Sequence, residues 1–224
     1  MGILNLTPDS FYEPSRYNMS VLDSGADIID IGAVSSRPGA SYVSPEEEWD
    51  RLAPFLKALN TDKEISIDTT RSEIVRKAYD IIGPFIVNDI SAGGDDPDML
   101  GTVKELGLRY VAMCRTADPF SFFKDERFDG LDWILDPGFG FGKDADGNMA
   151  VLERLGELRV FGRPVLVGVA DKRFTRTVPG GTEAVHMTAL RNGADILRVH
   201  DVEKARQTVR LFQESLVEHT GNLV

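Results

Sequence analysis

Apolar residues gather along this chain in short unbroken runs, most of them closed by a polar residue and followed by a segment with a helical stripe. The runs are Gly2–Leu6, Asp27–Gly32, Ile65–Ile67, Phe85–Val87, Tyr110–Met113, Trp133–Leu135, Pro164–Val169 and Ile196–Val199. Continuous rather than alternating runs predict strands covered on both faces, as in a parallel sheet. The intervening segments predict helices. Tyr17–Ser24 is a short one stopped by Gly25. Ser44-Pro45-Glu46-Glu47 opens another with a hydroxyl cap and a proline in the first turn, and Trp49, Leu52, Leu56 and Leu59 continue it past a kink at Pro54. Ser72–Ile82, Asp96–Leu106, Ala150–Leu158 and Glu183–Asn192 follow. The final helix is capped by Asp201 and striped by Val202, Ala205, Val209, Phe212 and Leu216.

Strand and helix alternate along the chain, and GADII at Gly25 is echoed by GADIL at Gly193. The expected fold is α/β, a (β/α)8 TIM-type barrel formed by residues 1–224 as a single domain. An open doubly wound sheet is the alternative. The segments after strands one, five and seven are short, so their helices are expected to be reduced or missing. Arg115–Leu131 has no helical stripe, which predicts an uncovered apolar face beside strand five.

Active sites of such barrels form at the C-terminal ends of the strands. Here those ends carry Asn5, Asp30, Asp68, Asn88, Met113-Cys114, Asp136, Lys172 just beyond strand seven, and Arg198 with His200. Each has a simpler reading. Asp68 and Asp89 suit helix caps, Asn88 suits local backbone, and Arg198 and His200 taken singly suit structural roles. Asp30 stands inside an apolar run, where only a ligand or a buried hydrogen-bond partner accounts for a carboxylate. Together, Asp68, Asn88 and Asp136 offer acceptors for a flat nitrogen-rich heterocycle, and Lys172 offers a donor. Asn5, Arg37, Arg198 and His200 suit an anionic leaving group.

The glycine-rich stretch Asp136–Lys143 (DPGFGFGK) invites comparison with phosphate loops. A P-loop ending at Gly142-Lys143 would need glycine at Pro137 and a hydroxyl at Asp144, and a dinucleotide fingerprint from Gly138 would need glycine at Lys143, so neither motif is met. No zinc spacing and no G-x-S-x-G elbow occurs. The formal net charge of −11 argues against nucleic acid as the main partner. The single cysteine, Cys114, rules out an internal disulfide framework and fits a reducing compartment. No run is long enough to span a membrane, and a cytoplasmic location is expected.

Seven blocks carry a resemblance: MGILNLTPDSF, GADIIDIGAVSSRPGA, SIDTT, VNDISAG, ILDPGFGFGK, VLVGVADK and ADILRVHDV. In content and order they resemble dihydropteroate synthase, a pterin-binding transferase of folate biosynthesis. The methyltetrahydrofolate-binding methyltransferases share the pterin site, but the SSRPG loop is similar to the synthase branch. The resemblance implies a (β/α)8 barrel that joins p-aminobenzoate to 6-hydroxymethyl-7,8-dihydropterin diphosphate and releases pyrophosphate, with Mg2+ as cofactor. It implies that Asp30, Asp68, Asn88, Asp136, Lys172 and Arg198 serve the pterin, with Arg198 over the ring. Asn5, Arg37 and His200 would serve the pyrophosphate, with Asn5 on the metal side. Ser36, Arg37 and Pro38 would shape the aminobenzoate pocket, and Lys172, Arg37 and His200 would carry the chemistry. It also implies a homodimer through the late helices. Two places depart from the family. Its S-R-K after strand seven reads Ala170-Asp171-Lys172 here, which removes the serine for the aminobenzoate carboxylate and sets an aspartate where an arginine stood. Its M-H-M reads Met113-Cys114-Arg115. These departures leave a pterin-binding barrel without turnover, natural or redesigned, as the alternative function.

Overall fold

The computed structural model describes residues 1–7, 19–34, 41–169, 175 and 179–221. Six parallel strands run in sequence order, β1 (Gly2–Asn5), β2 (Ile28–Gly32), β3 (Glu64–Asp68), β4 (Ile86–Asp89), β5 (Arg109–Met113) and β6 (Asp132–Asp136). A second parallel pair, β7 (Leu166–Val167) and β8 (Ile196–Leu197), completes the ring. A parallel bridge joins Leu135 to Val165, and another joins Gly2 to Val199. Across the second seam Ile3 N–H donates to Val199 O at 3.0 Å and Val199 N–H to Met1 O at 3.0 Å. The eight-stranded barrel is therefore closed.

Alternation along each strand sorts the side chains into two cores. Outward residues such as Ile29, Ile31, Ile67, Val87, Tyr110, Ala112, Leu135 and Val167 pack in the large cluster that the helices share. Inward, Met1, Ile28, Ile86, Val111, Ile134 and Leu166, with Ile196, form a separate apolar floor. One pleat further along, the same inward positions become Asp30, Asn88, Asp136 and Arg198, with Ser66 and Asp68 from β3. The barrel thus changes from apolar floor to polar mouth within about one strand repeat. The runs read as uniformly apolar because their outer face and floor are both apolar.

Helices α1 (Pro45–Ala58), α2 (Ser72–Ile82), α3 (Met99–Leu106), α4 (Pro119–Phe122), α5 (Ala145–Glu153), α6 (Gly181–Arg191) and α7 (Val202–Gly221) surround the strands. Ser44 caps α1, accepting from Glu47 N–H at 3.2 Å, and the helix runs unbroken through Pro54. Asp201 caps α7, accepting from Lys204 N–H at 3.1 Å. Three expected boundaries move. The segment before Gly25 is only a 3-10 turn at Met19–Val21, residues 17 and 18 lying outside the described residues. Asp96 does not open α3; its carboxylate accepts from Ser72 N–H at 2.7 Å and so caps α2 instead. Helix α5 begins at Ala145, five residues before Ala150, behind the cap Asp144, which accepts from Gly147 N–H at 2.8 Å; Leu155–Phe161 is 3-10.

The strand-five connection corrects an expectation. It holds only α4 and the 3-10 turn Glu126–Phe128, yet the barrel face there is covered. Phe128 stacks on Trp133 with ring centroids 4.7 Å apart, and Phe123 meets the same indole at 5.8 Å. Aromatic area replaces helix length. No helix among the described residues is long and apolar enough to cross a membrane.

Candidate active site

Asp30, the carboxylate inside an apolar run, is fully buried and is the hub of the polar layer. Its oxygens accept from Ser66 Oγ at 2.6 Å, from Asn88 Nδ2 at 3.1 and 3.2 Å, and from Arg198 Nε at 2.7 Å. The same guanidinium bridges to Asp68 Oδ2 at 2.8 Å. Strands β2, β3, β4 and β8 are therefore tied across the barrel by one network. Burial pushes the Asp68 carboxyl above the usual carboxylate range, and Arg198 pulls it back. Burial opposes the charge on Arg198, but Asp30 and then Asp68 hold its pKa above the ordinary arginine value. The guanidinium is spent on two carboxylates, so it does not join His200 as a free anion site, as the strand-end reading allowed.

Asp136, at the end of β6, pairs in register with Met113 and lies within electrostatic reach of Arg198. Its Oδ1 accepts from Gly138 N–H at 2.8 Å, which fixes the carboxylate at the strand end. The following loop needs its glycines. Gly138 has φ +70°, and a Cβ there would stand 1.9 Å from Cys114 O; at Gly142, with φ +59°, it would stand 2.2 Å from Arg115 O. Lys143 does not face a phosphate: its ammonium donates to Gly138 O and Phe141 O, both at 3.1 Å, and burial lowers its pKa. The motif that fails as a phosphate loop is a loop clamped against its neighbour.

Asn5 ends β1 opposite Gly32, which in turn pairs with Asp68. Asn5 Oδ1 and Asp68 Oδ2 would each lie 3.7 Å from a Cβ at Gly32, so both face the mouth over a residue with no side chain. His200 follows two residues after Arg198, beyond the end of β8 at Leu197. Neither Asp68 nor Asp89 caps a helix. Asp89 accepts from Ser91 N–H at 2.7 Å, from Gly93 N–H at 2.8 Å and from Tyr110 Oη at 2.6 Å, and so holds the turn that follows β4, while α3 starts only at Met99. Asp68 is engaged by Arg198. Ser36, Arg37, Pro38 and Lys172, together with Ala170 and Asp171, lie outside the described residues. Among the described residues that follow, buried Glu48 accepts from Thr69 Oγ1 at 2.7 Å and pairs with Arg71, which donates to Val43 O at 2.5 Å. Ser66 and Gly32 belong to the site but were not singled out in sequence, because a serine or glycine inside a strand has no pattern of its own; their register beside Asp30 and Asp68 is the signal.

The arrangement presents acceptors, Asp68, Asn88 and Asp136, around one neutralised arginine, with an amide oxygen at the rim. That is a site for a small polar ring rather than for a nucleic acid or an apolar guest. A family model described as pterin binding enzyme matches residues 1–133 and 126–200. The chain belongs to the pterin-binding enzymes. Within that family it is 36% identical to the dihydropteroate synthase of Synechocystis over 254 residues, covering 94% of this chain and 88% of that one. The crystal structure of dihydropteroate synthase from Clostridium difficile in the presence of pteroic acid matches with a TM-score of 0.85 and 34% identity, over 96% of this chain and 95% of that one. The Xanthomonas albilineans synthase with 4-aminobenzoic acid matches with a TM-score of 0.85 and 33% identity, over 96% and 92%. The chain is thus placed among the dihydropteroate synthases, which are transferases, and its barrel fold is theirs.

Proposed function

We propose that this chain condenses 6-hydroxymethyl-7,8-dihydropterin diphosphate with p-aminobenzoate, releasing pyrophosphate, in the cytosol. The observation that carries the reading is the convergence of Asp68, Asn88 and Asp136 around Arg198 at the mouth of a barrel that matches the synthases along most of its length. Those acceptors take the amino and ring N–H donors of the pterin, and Lys172 supplies a donor for its carbonyl or ring nitrogen. The ring nitrogens push electron density toward the methylene as its C–O bond breaks, and the diphosphate leaves with the electron pair. The neutral amine of aminobenzoate then attacks the methylene and loses a proton. Arg37 and His200 stabilise the departing anion electrostatically, which is usually the largest catalytic contribution. Ser36 and Pro38 shape the aminobenzoate pocket beside Arg37.

The donor set suits magnesium. Asn5 Oδ1 is a hard oxygen ligand at the rim, and Mg2+ commonly takes one or two protein oxygens and completes its shell with water and substrate phosphates. Bound through Asn5, it would supply positive charge against the diphosphate.

Two measurements test this reading. Pyrophosphate release from the two substrates should require both of them; release from neither order of addition would contradict the reading. The pair Ala170-Asp171 favours the second reading, a pterin binder without turnover, and tight pterin binding with no aminobenzoate binding would establish it. Asp136→Ala is expected to weaken pterin binding by at least about 100-fold in a calorimetric titration, with the fold retained; unchanged affinity would misplace the site. The exposed Leu211, Leu216 and Val217 of α7 fit pairing with a second copy. Sedimentation should show a dimer that Leu211→Glu/Val217→Glu dissociates, and a monomeric parent chain would reject the pairing.

A further inference from the structure

Asp30 has no acceptor capacity left for a ligand. A carboxylate offers about four lone-pair positions. Ser66 Oγ takes one at 2.6 Å, Asn88 Nδ2 approaches both oxygens at 3.1 and 3.2 Å, and Arg198 brings Nε to 2.7 Å and a terminal nitrogen to 2.6 Å. Asp30 and Ser66 are fully buried and Asn88 nearly so, whereas the Arg198 side chain is 24% exposed at the mouth beside Asp68 and Asp136. We propose that Asp30 is a positioning residue that sets the donor–acceptor polarity of the mouth, and thereby makes the site select a 2-amino over a 2-oxo pyrimidine edge.

Asp30 acts on the mouth through Asn88. An asparagine amide has nearly the same shape with its oxygen and nitrogen exchanged, so shape alone does not decide which atom meets a ligand. Charge decides it here. With Nδ2 toward Asp30 the amide makes two hydrogen bonds to a buried carboxylate; turned over, its oxygen would meet both carboxylate oxygens and lose both bonds. The carbonyl oxygen is therefore directed away from Asp30, toward the mouth. Arg198 is fixed by the same anion, with its guanidinium spanning Asp30 and Asp68. The mouth then presents three acceptors, Asn88 Oδ1 and the carboxylates of Asp68 and Asp136. A 2-aminopyrimidin-4-one edge meets them with amino and ring N–H donors. A 2,4-dioxo edge sets a carbonyl where the amino group stood and leaves a buried acceptor facing another acceptor. Sites built to hydrogen-bond a substrate group reject the analogue lacking it by large factors. An amide in place of the Asp30 carboxylate would accept or donate on either side, and Asn88 would lose its reason to face one way.

The inference rests on the pterin reading of this site. Its test is calorimetry with 6-hydroxymethylpterin and with the corresponding lumazine, which differs by the 2-oxo group. The parent chain is expected to prefer the pterin by at least about 100-fold. Asp30→Asn should cut that preference at least tenfold, with circular dichroism showing the fold intact. In an Asn88→Ser background, which already lacks the carbonyl, Asp30→Asn should cost no further preference, because its effect passes through Asn88. If Asp30→Asn weakens both ligands equally, or costs as much preference in the Asn88→Ser background as in the parent, Asp30 is merely structural and the inference fails. Should Asp30→Asn not fold, Asn88→Ser alone decides: it must weaken the pterin at least tenfold more than the lumazine, and equal weakening overturns the proposal. A parent chain that binds neither ligand defeats the pterin reading itself, which is a different outcome.

Discussion

Arg198→Met is expected to destabilise the chain by about 3–5 kcal/mol and to abolish pterin binding, and the stability deficit should shrink as the pH falls. Asp30 and Asp68 share this one guanidinium, with Arg198 nitrogens 2.6 Å from Asp30 and 2.8 Å from Asp68. Removing one partner of a buried ion pair leaves uncompensated charge, and that loss costs about 3–5 kcal/mol in comparable cases. The pH dependence follows from Asp68. Burial already holds its pKa above that of an unfolded carboxylate, and Arg198 is the main influence pulling it down. Without the arginine, native Asp68 binds its proton more tightly than the unfolded chain does. Across the window between the ordinary carboxylate pKa and that raised value the native state carries more protons, so the variant's stability falls as pH rises through it. The parent's own Asp68, held at about 7, carries the same extra proton at lower pH, so the deficit between variant and parent opens only as pH rises through about 7 and this part of it is absent below. Thermal melts of variant and parent at pH 5 and pH 8 check it; an equal deficit at both would show that the network is not held by charge.

The second large effect concerns backbone. Gly138→Ala is expected to cost about 3 kcal/mol or more, and to weaken the site by displacing Asp136. The added Cβ would stand 1.9 Å from Cys114 O, backbone rather than a flexible side chain, so the loops after β5 and β6 must separate. The N–H of the same residue holds Asp136 Oδ1 at 2.8 Å. Gly130 is the internal control. It too has positive φ, +78°, but a Cβ there meets nothing within 4 Å. Gly130→Ala should carry only the left-handed backbone penalty of about 1–2 kcal/mol. Comparable chemical-denaturation midpoints for the two variants would refute the close-approach argument.

Most of the architecture was legible in the chain because a parallel barrel writes each strand as a continuous apolar run. The outer face and the floor are both apolar, so Ile28–Gly32 and Ile86–Asp89 stand out without any alternation. The same uniformity hid the inner face. Asp30 was visible as an anomaly, and the choice between ligand and buried partner was settled only by the register that sets it opposite Ser66. Ser66 and Gly32 could not be singled out alone. Helix starts misled where a capping residue served another element: Asp96 reads as the start of α3 but caps α2. The strand-five connection read as a missing cover because aromatic packing among Phe123, Phe128 and Trp133 has no periodicity to detect. The site residues on the second loop and after strand seven, Ser36, Arg37, Pro38 and Lys172, rest on the resemblance.

In the proposed reaction, the acceptors around Arg198 hold a pterin for transfer to aminobenzoate. The most direct measurement is calorimetric titration with the pterin diphosphate, followed by aminobenzoate in the presence of pyrophosphate and magnesium. One pterin diphosphate bound per chain, and aminobenzoate bound only once pyrophosphate is present, is the predicted result. No heat from the pterin diphosphate at concentrations up to the millimolar range would contradict it.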